Sequence, residues 1–183
     1  MTAKKNKLTE MTNLIAGSLA SSNSSDSGNY EYSASFLAPK ARIIPGLWKV
    51  VEHTVDGEPY AQAFCAATLR GIETENMCYE ATYEFTQNLC VKRVIIYGDL
   101  LLENRRTSYD YRMNLALSWE FKGEGLAVLP VLGYQYTSLD GQPAAVKDLP
   151  PANGWLALSI RFEDEYMVLE DGSDIKKLRR SDT

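Results

Sequence analysis

The sequence predicts an all-β chain: an eight-stranded antiparallel up-and-down barrel preceded by a short N-terminal helix. Three observations carry this expectation. Apolar and polar residues alternate through most of the chain after Ile43, the period of a strand with one buried face. Short links rich in Gly and Asp separate the alternating runs, as they do between antiparallel neighbours. No long stretch after residue 43 keeps a helical period.

The totals bound the answer further. A length of 183 residues suits one domain with one core. The apolar share of 45% and the charged share of 23% are those of an ordinary globular chain, which excludes disorder throughout. A net charge of −5 argues against a nucleic-acid partner, because such binding neutralises phosphates with clustered Lys and Arg. The basic groups "KKNK" and "KKLRR" read as solvated termini. Three cysteines, Cys65, Cys78 and Cys90, lack the spacing of a zinc site. Buried thiols are expected, with one bridge, Cys78 to Cys90 across a hairpin, left open. A single His, His53, gives a metal centre little to build on, and neither a metal nor a cofactor is expected. No apolar run approaches the roughly 20 residues that span a bilayer. At the front, Thr9, Glu10, Thr12 and Asn13 interrupt any export signal, so the expected location is cytoplasmic.

Residues 1 to 42 divide into two parts. Leu8, Met11, Leu14, Ile15 and Leu19 recur at steps of three and four, predicting an amphipathic helix over residues 8 to 20. "SSNSSDSG" then forms a Ser-rich linker. The helix is either a frayed tail or a lid that folds back over the domain.

Residues 43 to 183 form the predicted barrel. Its strands are expected over 46–54, 60–69, 77–86, 89–98, 100–109 merging into 110–121, 125–138, 154–163 and 166–180, the last with a turn inside. The clearest run is "YDYRMNLALSWEF": Tyr109, Tyr111, Met113, Leu115, Leu117, Trp119 and Phe121 take one face, and Asp110, Arg112, Asn114 and Glu120 the other. "MCYEATYEF" repeats the pattern with Met77, Tyr79, Ala81, Tyr83 and Phe85. Turn signals stand at Asp56-Gly57, Gly123 to Gly125, Asp140-Gly141 and Asp171-Gly172. An eight-strand meander with one apolar face closes on itself and so removes its exposed edges. A two-sheet sandwich would need long connections, and only residues 139 to 153 are long enough for one.

At the head of the first run, "Gly46-Leu47-Trp48" resembles the G-x-W signature of lipocalins. "DGSDIKKLRR" is similar to the closing strand of bacterial lipocalin-like domains, in which an Arg near the end crosses the Trp. The resemblance covers residues 43 to 180 and implies a member of the lipocalin-like (calycin) β-barrel family. It also implies a pairing of Trp48 with Arg179 or Arg180, the indole plugging one end of the barrel. Enclosure of a small hydrophobic ligand is the function it implies most directly.

The inward faces are rich in Tyr, and the expected ligand-binding set is Tyr79, Tyr83, Tyr109, Tyr111, Met113, Trp119 and Tyr134. A barrel lined in this way would hold a mostly apolar molecule and orient it by phenol hydroxyls. The alternative is that the rings only fill the core. Strict alternation from Trp48 puts Glu52 inside, as an acid or base or as a wet residue at the mouth, and turns His53 outward. No Ser-His-Asp order, phosphate loop or dinucleotide fingerprint is present, so no catalytic residue is assigned. Two functions follow: a carrier or sensor of a small hydrophobic ligand, or a cofactor-free cyclase or isomerase of natural-product biosynthesis, with the N-terminal segment as lid. A filled barrel that binds another protein by its outer face is a third reading, and a homodimer is left open.

Overall fold

A computed structural model describes residues 44–103, 105–123 and 125–181. The elements are β1 (Gly46–Val55), β2 (Glu58–Pro59), α1 (Tyr60–Thr68), β3 (Glu73–Phe85), β4 (Leu89–Leu102), β5 (Arg105–Lys122), β6 (Gly125–Leu139), β7 (Gln142–Leu149), β8 (Leu156–Glu163), β9 (Tyr166–Asp171) and β10 (Asp174–Arg180). Eight strands close the barrel in the order β1-β3-β4-β5-β6-β8-β9-β10, with β10 returning antiparallel to β1. The predicted class and strand number therefore hold, and the barrel is compatible with a calycin-like fold. The expected helix over residues 8 to 20 and the Ser-rich linker lie outside the described residues.

The eight strands are not the eight expected. Residues 60 to 69, read as a strand, form α1. Ala61, Ala63, Ala66 and Ala67 favour a helix, Pro59 fits the position before its first turn, and Tyr60 and Phe64 lie one turn apart facing the core. Residues 89 to 102 form one strand, where the sequence suggested a break near Gly98. Gly98 stays in the ladder because β3 bulges across it: a Cβ there would lie 2.5 Å from the Met77 sulfur and 3.0 Å from the Asn76 carbonyl oxygen. The turn comes instead at Glu103, in the left-handed region with φ 52°. Residues 142 to 149, expected as part of a long loop, form β7, a hairpin partner of β6 outside the closed circuit. The final run splits into β9 and β10 around Asp171-Gly172, as its internal turn predicts.

The circuit is uneven. β5 follows β4 from Leu89 to Leu102. By contrast β8 holds β6 only over Gly125–Val128, and above that point β6 turns to β7. β1 holds β3 only over Gly46–Lys49, and α1 packs beside the upper half of β1.

Trp48 plugs one end. It is 3% exposed, donates its indole N–H to the Ile44 carbonyl at 2.7 Å, and carries the Arg180 guanidinium 5.9 Å from its ring centroid. Arg180 also donates to the Pro45 carbonyl at 2.8 Å. Gly46 is required here on two counts: its φ is +136°, and a Cβ would stand 3.0 Å from the Arg180 guanidinium. The Gly-x-Trp motif thus encodes a seat for the arginine as well as the plug. At the other end α1 covers the interior, with Phe64 5.1 Å from the Tyr111 ring.

Candidate functional site

The site begins with an extra residue in β1. Against β10, Val50 faces Leu178 and Glu52 faces Lys177, leaving Val51 without a rung. Such a bulge inverts the alternation beyond it. Val51, 53% exposed, and Glu52 both point outward, and His53 points into the barrel at 7% exposure. The expected orientations of Glu52 and His53 are therefore corrected together, by one inserted residue.

His53 stands in a built environment. Its Nε2 lies 2.7 Å from Asp174 Oδ1, and its Nδ1 lies 2.8 Å from the Tyr79 hydroxyl. The Tyr60 ring stacks on the imidazole at 4.0 Å with an 8° interplanar angle. Lys176 Nζ reaches the same Asp174 oxygen at 2.5 Å. Burial raises the Asp174 pKa, but the His53 hydrogen bond and the Lys176 charge outweigh it and hold the carboxyl at about 2. Burial pushes His53 below its usual 6.5, against the pull of Asp174. The imidazole is therefore neutral near pH 7. Because Asp174 only accepts, Nε2 carries the proton, and Nδ1 accepts from the Tyr79 O–H. Burial raises the pKa of Tyr79, and of Tyr60 to about 12, so both remain phenols. The resulting line, Tyr79 to His53 to Asp174, is a base-backed phenol able to pass a proton.

Asp174 and Lys176 also line an interior cavity of about 100 Å³. It has two unlike walls. Tyr83, Lys92, Lys176, Asp171 and Asp174 form the polar one; Leu115, Leu117, Leu126, Val128, Leu156 and Leu158 lead the hydrocarbon one. Lys92 faces inward because it pairs with Tyr83 on one side and Leu115 on the other. Its ammonium lies 5.6 Å from the Tyr83 ring centroid. Burial, then the nearby Lys176 charge, lowers its pKa to about 8, although Asp174 opposes the shift. Val128, Pro130 and Leu156 place the cavity where β7 and β8 part. Larger hollows of about 510 and 660 Å³ lie on the outer face around Asp110 and Arg112. They are open grooves, and Arg112 is already closed on Asp110 at 2.8 Å.

The expected ligand-binding set is dispersed. Tyr83 lines the cavity and Tyr79 joins the His53 line. Tyr111 packs beneath α1, Tyr109 and Met113 are buried on the same inward face, and Trp119 packs edge-on to Phe85 while donating to the Thr86 carbonyl at 3.1 Å. Tyr134 is a correction: it is 46% exposed on the outer face. The cause is a second bulge, in which Val131 has no rung between Pro130 and Leu132. Beyond it Gly133 and Gln135 turn inward. Gln135 is 2% exposed, and neither its amide oxygen nor its nitrogen has a partner. The possible Cys78–Cys90 bridge is also corrected: Cys78 pairs with Tyr97 and Cys90 with Phe85, far apart on the ladder, and both thiols are free.

His53, Asp174, Lys176 and Lys92 were missed as site residues. Charged residues on the inward face of β10 do show in the spacing of Asp174 and Lys176, but nothing in strict alternation announces a bulge. Comparison with family models, curated proteins and solved structures finds no match to this chain. Among the described residues, no helix is long and apolar enough to cross a membrane.

Proposed function

We propose that the protein is a lipocalin-like barrel that encloses a small, largely apolar molecule and fixes it by one polar end. The observation that supports this reading is the two-walled cavity, hydrocarbon on one side and Tyr83, Lys92 and Lys176 on the other. Sites of this composition combine apolar burial with a few orienting polar groups. The resting volume of about 100 Å³ sets the scale of the enclosed part. A cavity of about 150 Å³ accepts benzene, so roughly four non-hydrogen atoms fit here. Any longer guest extends between β7 and β8. Native mass spectrometry of protein purified from its own host tests the reading. A retained small molecule, displaced when Leu117→Trp fills the cavity, is expected; retention unaffected by that substitution would place the guest elsewhere.

The Tyr79–His53–Asp174 line favours a second reading, a cofactor-free isomerase or cyclase that moves a proton within an enclosed substrate, with residues 1 to 42 as its lid. Exclusion of water and orientation of the substrate would supply the remaining catalysis. Removing residues 1 to 28 is expected to leave the barrel intact and abolish turnover of the compound recovered from the host. Unchanged turnover would dispose of the lid.

A further inference from the structure

One group in the cavity has chemistry that enclosure alone does not use. Lys92 is an inward amine with no ion pair among the described residues. The carboxylate nearest in influence, Asp174, is engaged by His53 at 2.7 Å and by Lys176 at 2.5 Å. Lys92 thus shares its space with a second ammonium, the carboxylates Asp171 and Asp174, an aromatic face and hydrocarbon. Each of the first and last disfavours its charged form, which is how proteins turn a lysine into a nucleophile. The cavity is too small for a large ligand and its far wall suits a short alkyl chain.

We propose that Lys92 captures a short-chain aldehyde or ketone as a reversible imine within the barrel. The neutral amine adds to the carbonyl carbon to give a carbinolamine. Its oxygen then leaves as water, taking a proton from the Lys176 ammonium or the Tyr83 phenol, both of which line the same cavity. The C=O bond is exchanged for C=N, the two amine hydrogens depart in the water and in the re-protonated acid, and no oxidant or reductant is required. The pKa of about 8 leaves an appreciable neutral fraction of Lys92 at physiological pH. The apolar wall shields the imine from hydrolysis by excess water.

This inference rests on the cavity being a binding site, and the test separates the two. The full chain is incubated with butanal and cyanoborohydride, then digested and mapped by mass. Butan-1-ol, which has no carbonyl, is followed in parallel by the shifts of leucine methyl NMR signals. Lys92 is expected to gain the mass of the aldehyde less one oxygen, at least about ten-fold faster than the exposed Lys49 and Lys122. Butan-1-ol should slow that labelling. Butan-1-ol binding with no preferential labelling of Lys92 would overturn the imine and leave the binding site standing. Absence of both would remove the binding site and the imine with it. Lys92→Met, checked for a native β-sheet spectrum, should lose the fast labelling; a variant still labelled as fast as the native chain would place the reactive amine elsewhere and overturn the imine.

Discussion

Asp174 and His53 make the barrel sensitive to acid in two stages. His53 is held below 6.5 in the fold, so as pH falls below about 6.5 the unfolded chain takes up a proton that the fold resists. Stability therefore decreases. Asp174, held at about 2 against an ordinary 3.8, adds a second loss between those values, since its contribution is complete only above the unfolded pKa. Urea midpoints should fall between about pH 7.5 and 5.5, and His53→Gln should flatten that slope. A slope unchanged by the substitution would assign the acid response to other groups. Lys92 has the opposite character: its low pKa means that its charge near neutrality opposes folding. Lys92→Met is expected to stabilise by on the order of 2 kcal/mol at pH 7, a gain that shrinks as pH rises above 8 and disappears beyond 10.5. Gln135→Leu should also stabilise, by about 1–2 kcal/mol, because it removes an unpartnered buried amide; a lower urea midpoint for the variant would refute this.

Among the elements, β1 and β6 share one device. Each carries a single residue without a rung, Val51 and Val131, and each thereby exchanges which side chains face the interior. Deleting Val51 would join Val50 to Glu52 in a regular ladder with Trp48 and His53 still inward. That variant should keep its fold, whereas deleting Thr54 would turn Val55 and its neighbours across the sheet. Thermal midpoints of the two deletions decide the point. The same device explains what was legible in the sequence. Alternation located the strands, and in β3 and β5, where Tyr79, Tyr83, Tyr109, Tyr111 and Met113 lie, it placed their inward faces correctly. It failed for His53 and Tyr134 because period two carries no mark of an inserted residue. It failed for α1 because an Ala-rich stretch between two aromatic residues satisfies a strand and a helix equally until the core chooses. Trp48 and Arg180 were legible because a motif, and not a period, carries them.

At the level of the whole molecule, a plug of Trp48 and Arg180 closes one end and α1 the other, so that among the described residues the side wall is the way in. The ladder between β6 and β8 is four residues long on each side, Gly125–Val128 against Leu156–Ser159, and the cavity lies directly behind it. Amides there should exchange with solvent well before those of the long β4–β5 pairing, because fewer neighbours must be released together. Hydrogen exchange read by NMR tests this, and uniform protection around the circuit would refute it. On the proposed carrier reading, a short join beside a hollow would make breathing and loading one event: the same brief parting that admits deuterium would admit the guest. Bridging Ala127 to Ala157 with a pair of cysteines should then slow uptake of a small molecule while hardly altering how tightly it is held.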